Sequence, residues 1–454
     1  MHESPATALA GDGIRQMLAL ETRALLTRVE RVKPFVLYET MVLAAAPSIA
    51  AQTAIEGYLA RGRHVLRRLA QEYLAWLHSP QAAQLPVAEA QRRYAILKLH
   101  FNTMLSQFDI FADVITQRSE HDNGVWLSGL DVVAADALDL PGGFYDAPPV
   151  VCYLQRGHGA AIRRARTRLP GGGENPVAII QVPRERMVGS GIASSLVHEV
   201  GHQGAALLGL VSSLQPVLQG MQRSGPREAI VWQLWERWIS EILSDLWSVA
   251  RVGIAGTMGL MSVVSLPAPF VFRVGVDDPH PIPWVRVKLS AALGDALYPD
   301  PQWRAVADTW EVLYPKQRLT PTKLALLDAL EQVMPAFVSL VVHHRPRSLR
   351  GASLKETLAT PDRTPTRLRA VFEGWRGSRL KMQAAPPSLV LAAIGQAKAD
   401  GRLSPERESR IAADLLTDWA MQSSLDTSAI CATRAQTRVI PTMTWGRQAP
   451  AWQP

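Results

Sequence analysis

The chain has 454 residues, of which 47% are hydrophobic and 19% are charged. This composition can supply a sizeable buried core, and it excludes a largely disordered chain, a collagen and a disulfide-stapled miniprotein. The formal net charge of +8 permits acidic partners. No motif that reads nucleic acid accompanies that charge, so we expect no nucleic-acid partner.

Cysteine use and the N-terminus bear on the compartment. Cys152 and Cys431 are the only cysteines, and one pair far apart in sequence cannot form a disulfide framework. The first seven residues have neither the basic start nor the apolar stretch of a secretory signal. We therefore expect a cytoplasmic protein, and export by a route without a signal peptide stays open.

Apolar residues recur at helical spacing from Ile14 to Ile115, in three successive runs. This pattern predicts an N-terminal helical bundle over residues 1–120. Its simplest role is a scaffold or a docking surface for a protein partner.

The pattern changes after His121–Gly124. Residues 150–154 and 177–182 are short apolar runs bounded by proline and glycine, which is typical of strands. The loop expected between them carries a group of arginines: Arg156, Arg163, Arg164, Arg166 and Arg168. This arginine group could meet phosphates or an acidic peptide, or it could be a solvated basic loop.

The uncharged stretch 252–272 is long enough to cross a bilayer. Its glycines and two prolines favour a buried helix followed by a loop, so we expect no membrane span. Helical spacing returns from about Thr320. We predict a central domain over residues 121–345 and a C-terminal helical region over 346–454, with a loose tail from Thr442.

The strongest motif is His198-Glu199-Val200-Gly201-His202. Positions four apart lie on one face of a helix, so both imidazoles can bind one metal ion with Glu199 beside them. Glu199 is also the only Asp, Glu, Lys or Arg between Met187 and Gln222. A lone carboxylate in so apolar a helix is costly to bury unless it has a partner such as a metal centre.

Catalytic zinc takes three protein ligands and keeps an open position. The two cysteines are poor candidates for the third ligand, because neither belongs to a ligand-spaced pair. Glu241 and Asp245 are four apart on the next predicted helix and therefore share a face. We expect Glu241 to bind the metal and Asp245 to accept the remaining N–H of a ligand histidine.

His198-Glu199-x-x-His202 followed by Glu241-x-x-x-Asp245 resembles the gluzincin metallopeptidases, the broad group that includes thermolysin. The resemblance covers residues 177–250 and implies a zincin-like core within a mostly helical α+β fold. It implies His198, His202 and Glu241 as ligands of Zn²⁺, Glu199 as general base and Asp245 as the residue that orients a ligand. Hydrolysis would use a zinc-activated water whose proton Glu199 accepts.

Gluzincins usually draw the donor for the oxyanion from downstream. His280 lies between two prolines in such a position and is our candidate donor, with Arg286 as a candidate clamp for a substrate carboxylate. A structural loop histidine and a surface arginine remain open alternatives. In zincins the edge strand beside the site pairs with the substrate backbone, and residues 177–182 stand in that place.

The sequence therefore predicts a zinc metallopeptidase, more specifically an endopeptidase, that acts on extended protein or peptide substrates. The alternative is a non-enzymatic protein in which zinc stabilises a scaffold or an assembly. An intact Glu199 favours the enzyme, because a purely structural site does not need that carboxylate.

Overall fold

The computed structural model of the chain describes residues 5–31, 41–155, 159–170, 172–184, 188–224, 226–275 and 277–437. Helices dominate these residues, and the strands among them form one small sheet. The predicted class, α+β and mostly helical, is confirmed. The predicted tail from Thr442 and Arg156 of the arginine group lie outside the described residues.

The N-terminal region is helical, as predicted. Its helices are α1 (Pro5–Arg31), α2 (Ile49–Leu77), α3 (Pro80–Ala83) and α4 (Val87–Thr116). One apolar cluster joins α1, α2 and α4 through residues such as Leu18, Leu66 and Phe101. The spacing of apolar residues was sufficient to predict these helices because each buries a single stripe.

The next elements are α5 (His121–Leu138), β1 (Val150–Gln155), β2 (Ala161–Arg163) and β3 (Ala178–Pro183). Both predicted strands are confirmed. Helix α5 begins where the change of pattern had suggested the end of the helical region. Strand β2 lies inside the segment predicted to be a loop, and its short, partly basic sequence carries little strand signal.

The sheet has the order β1-β3-β2. Strand β3 pairs in parallel with β1 and antiparallel with β2. The prediction that residues 177–182 form the edge strand was therefore wrong, because β3 lies at the centre and is paired on both sides. The two outer strands are β1 and β2.

The central helices are α6 (Ser190–Leu207), α7 (Leu210–Met221), α8 (Pro226–Val252) and α9 (Ile254–Val264). Helices α6 and α8 confirm the two helices that were predicted to carry the histidine pair and the Glu241–Asp245 pair. One face of the sheet packs on α6 through Ile180 and Leu196. The opposite face packs on α2 and α4 through Ile179 and Phe111.

The remaining helices complete the described chain. They are α10 (Ala268–Val271), α11 (Pro283–Leu297), α12 (Pro301–Leu313), α13 (Pro321–His343), α14 (Leu354–Leu358), α15 (Pro365–Trp375), α16 (Arg379–Gln383), α17 (Pro387–Ala399) and α18 (Pro405–Thr437). One continuous core runs from Leu127 to Trp419, so the C-terminal helices bury apolar residues together with the central ones. The domain boundaries after residues 120 and 345 stay predictions.

Helix α13 is long and apolar enough to cross a bilayer, a criterion that core helices of globular proteins also meet. It is the one such helix among the residues that the structure describes. The stretch 252–272 contains the last residue of α8, then α9, an exposed connection of residues 265–267, and α10. The predicted helix and loop are present there, and the loop is on the surface.

Candidate metal centre

Helices α6 and α8 approach each other closely at Gly201. A Cβ atom at Gly201 would lie 2.8 Å from Ser244 Cα and 2.9 Å from Trp247 Cβ, closer than packed atoms tolerate. Gly204, one turn later, lies against the Trp247 ring. The glycine between the two histidines therefore allows the histidine face of α6 to lie against Glu241 and Asp245 of α8.

His198, His202 and Glu241 converge as a metal site requires. His198 Nε2 lies 3.2 Å from Glu241 Oε2, and His202 Nε2 lies 3.3 Å from Glu241 Oε1. One ligand atom from each of the three residues falls within 4.8 Å of the others. The two imidazole rings stand edge to face with centroids 4.9 Å apart. This donor set fits a divalent cation of the zinc type.

The second ring nitrogen of each histidine has its own partner. His198 Nδ1 lies 2.8 Å from Asp245 Oδ1, and His202 Nδ1 lies 3.3 Å from Ser240 Oγ. An ionised carboxylate can only accept, so His198 carries a proton on Nδ1. The Nε2 atom of His198 is thereby turned toward Glu241, which is the orientation that a metal ligand needs.

Charge balance in this cluster favours a cation. Burial lowers the pKa of His198, but Asp245 and Glu241 outweigh it and raise that pKa to about 9. Burial disfavours the charged form of Glu241 too, yet hydrogen bonds from His198 and His202 hold the pKa of Glu241 well below its usual range. A metal ion between Nε2 and the Glu241 carboxylate would replace the proton that these groups otherwise share.

Arg286, on α11, is buried against Asp245. Its Nε donates to Asp245 Oδ2 at 2.7 Å, and a terminal nitrogen donates to Asp245 Oδ1 at 2.9 Å. Burial opposes the ionised form of Asp245, but Arg286 and then His198 lower its pKa to about 2. Asp245 thus remains an anion that accepts from Arg286 and His198 together.

Glu199 lies beside the histidines with 7% of its surface exposed. It lines a cavity of about 150 Å³ together with His198 and His280, and Gly159 and Ala160 line the same cavity. Among the described residues, Glu199 has no hydrogen-bond or ion-pair partner. Burial raises the pKa of the Glu199 carboxyl, and the two ligand histidines offset part of that effect. A carboxylate in this position is suited to accept a proton.

His280 reaches the same centre from the loop before α11. Its Nε2 lies 3.2 Å from Glu241 Oε2, and its Nδ1 lies 2.9 Å from Asp278 Oδ1. The Asp278 side chain also accepts from the His280 backbone N–H at 3.0 Å. About half of the His280 side chain is exposed, so it can meet a molecule that enters the cavity.

The structure brings all seven predicted site residues into one cluster. The three expected ligands meet, Asp245 lies on His198, and Glu199 and His280 border the cavity. The guanidinium of Arg286 is already engaged by Asp245, so its predicted role as a clamp for a substrate carboxylate is not visible in its contacts. The catalytic and substrate-binding roles stay predictions.

Four residues that contribute to the site were not predicted. Ser240 precedes Glu241 directly, and Asp278 lies two residues before His280, so proximity along the chain could have indicated both. Gly159 and Ala160 reach the cavity only because β2 lies beside β3. That placement depends on long-range pairing, for which the sequence carries no local signal.

Comparison with known proteins adds no relative. No family model matches the chain, and neither a curated protein nor a solved structure matches it.

Proposed function

We propose that this chain is a zinc-dependent metallopeptidase of the gluzincin type. The observation that carries the proposal is the convergence of His198, His202 and Glu241 beside the buried, unpartnered carboxylate of Glu199. Three protein ligands are the number that a catalytic zinc site uses. A purely structural site has no need of an additional free carboxylate in an adjoining cavity.

When bound, zinc would supply a Lewis acid that polarises a carbonyl group and acidifies a water molecule. Glu199 would accept the proton of that water and later deliver it to the leaving amine. His280 would donate from Nε2 to the oxygen on which negative charge develops. Asp245, held by Arg286, would keep the His198 ring in the orientation of a ligand.

The outer strand β2 supports a peptide as the substrate. It pairs with β3 on one side, and no described strand pairs with its other side. Gly159 and Ala160 lie directly before β2, and they line the same cavity as Glu199. A peptide added to the free edge of β2 would therefore lead toward Glu199. This role falls to β2 in place of β3.

Glu199→Gln tests the proposal directly. The variant keeps the size of the side chain but cannot accept a proton, so it should retain about one zinc ion per chain and lose peptide hydrolysis by at least ~100-fold. Metal content and cleavage of an internally quenched peptide library would be measured on the same preparations.

Glu236→Gln is the matched control on α8. Glu236 accepts from Gln219 and Gln222 at 2.7 and 2.6 Å, away from the metal centre. It should leave zinc content and hydrolysis as in the parent. If Glu199→Gln cleaves peptides as fast as the parent, Glu199 is not the base. If the parent holds zinc but cleaves nothing, the alternative of a zinc-stabilised scaffold stands.

A further inference from the structure

An arginine rim follows the outer edge of the sheet. We give this name to Arg163, Arg164, Arg166 and Arg168, which are all exposed. Glu174 is the only acidic residue from 161 to 174. Within the described part of the chain, Arg163, Arg164 and Arg168 form no ion pair, and the Arg166 side chain donates only to the Asp146 carbonyl at 3.0 Å. The rim therefore carries positive charge that the fold does not neutralise.

The backbone under the rim is held in place. The buried Asn175 side chain donates to the carbonyls of Arg163 and Arg164 at 3.2 and 3.1 Å. The Ala165 N–H donates to Gln203 Oε1 at 2.8 Å, and Gln203 directly follows His202 on α6. The rim is thus tied to the helix that carries the two histidines, and its charges keep a defined distance from the metal centre.

The rim begins close to the cavity. Ala160 lines the cavity, and Arg163 follows three residues later, about 10 Å farther along an extended chain. Arg163 and Arg164 also line an open groove between α4 and the sheet, in which Asp113 is the one acidic residue. A chain paired with β2 would therefore pass the arginines on its way to Glu199.

We propose that the arginine rim selects extended peptide segments that carry acidic side chains and pair with β2. The proposal rests on the proposed peptidase function for what happens in the cavity. Alternate side chains of a paired strand share one face, so Asp or Glu at every second position would meet Arg163 and its neighbours. A free strand edge offers N–H and C=O groups that pair with a peptide backbone and not with a phosphodiester chain, which favours peptide over nucleic acid.

The test measures binding without cleavage. Zinc-loaded protein carrying Glu199→Gln would be titrated against a fluorescent twelve-residue peptide with Asp at alternate positions. The matched peptide carries Asn at those positions. Adding Arg163→Gln and Arg164→Gln should weaken binding of the Asp peptide about tenfold and change binding of the Asn peptide less than about twofold. Rising salt should weaken only the Asp peptide.

Arg92→Gln removes one positive charge far from the groove and is the control for Arg163→Gln alone. Arg92 is exposed on α4, 21 residues before Asp113, so it lies about 30 Å along the helix from the groove. It should leave binding of both peptides unchanged. Lysine at positions 163 and 164 should restore most of the affinity, because lysine keeps the charge. This pair of variants separates loss of charge from damage to the fold.

Each result decides between the two proposals. If the parent cleaves both peptides at equal rates and the rim variants have no effect, the proposal that the rim selects acidic peptides is wrong. The proposed peptidase function would be unaffected. If the Asp peptide binds in a rim-dependent way but the parent does not cleave it, the peptidase proposal is wrong and the rim proposal is supported. The rim proposal is also wrong if the parent binds the Asp peptide no more tightly than the Asn peptide. The same holds if a twelve-nucleotide oligothymidine binds more tightly and displaces the Asp peptide.

Discussion

Two buried arginine–aspartate pairs perform different tasks in this molecule. Arg118, in the turn after α4, donates to Asp131 of α5 at 3.1 Å. Arg286 of α11 donates to Asp245 of α8 at 2.7 Å. The residue types and the burial are similar, yet only the second pair touches a residue with a candidate role in chemistry.

The difference lies in what else the pair contacts. Arg118 also donates to the Cys152 carbonyl at 2.7 Å, and Asp131 accepts from the Cys152 N–H at 2.6 Å. Both members of that pair therefore hydrogen-bond to the backbone of β1. Asp245 gives its second contact to the His198 ring instead. A pair that bonds to backbone groups of a strand holds that strand in place, whereas a pair that shares its carboxylate with a titratable ring can tune that ring.

The pKa values follow the same division. Burial raises the pKa of Asp131 despite Arg118 and the hydrogen bond from the Cys152 N–H. For Asp245, burial acts in the same direction, but Arg286 and His198 together lower the pKa to about 2. Asp245 has two positive partners, Arg286 and protonated His198, whereas Asp131 has Arg118 alone.

Arg118→Met should have the largest effect of the variants considered. It leaves Asp131 buried without its positive partner, which costs about 3–5 kcal/mol of the free energy of unfolding. Denaturant unfolding followed by tryptophan fluorescence would measure the loss. Arg68→Met is the control, since Arg68 is exposed in a pair with Glu72 and should change stability by less than about 0.5 kcal/mol. If Arg118→Met lowers the free energy of unfolding by less than about 1 kcal/mol, Arg118 is not an important stabilising partner of buried Asp131.

The sequence pattern predicted the parts of the site that depend on local spacing. His198 and His202, and Glu241 and Asp245, are each four residues apart, and the helical period alone places each pair on one face. The expected partnership of Asp245 with a histidine followed from the same geometry. His280 was proposed from its flanking prolines, and the structure places it within reach of Glu241.

Features that depend on long-range packing were not predictable. The strand β2 has three residues, and its pairing with β3 decides that β3 is central. The sequence around Arg286 carries no sign that its guanidinium donates to Asp245, and this is why we predicted that Arg286 binds a substrate carboxylate. The pairing of Arg118 with Asp131 across 13 residues, and with Cys152 beyond that, was not seen for the same reason.

His280→Ala should sharpen the contrast between the two networks, because the network at the metal centre has an exposed end. If His280 donates to the developing oxyanion, turnover should fall about 100-fold while zinc content stays unchanged. The single-turnover rate on a cleaved peptide and the metal content would be compared. His343→Ala is the control, because His343 is exposed and its hydrogen bonds within the described residues go only to Ser339 on its own helix. Unchanged turnover in His280→Ala would make His280 a structural loop residue.

Asp245→Asn and Asp131→Asn together test the comparison between the two pairs most directly, although the expected effect is the smallest of the three predictions. Asparagine keeps the shape of Asp245 but removes the charge that orients His198, so zinc affinity should fall about 10- to 100-fold. Asp131→Asn should destabilise the fold and leave zinc affinity within about twofold, since Asp131 contacts no ligand. Competition with a fluorescent chelator under native conditions would measure both affinities. Equal losses of zinc affinity in the two variants would mean that the metal centre depends on general stability and not on the contact between Asp245 and His198.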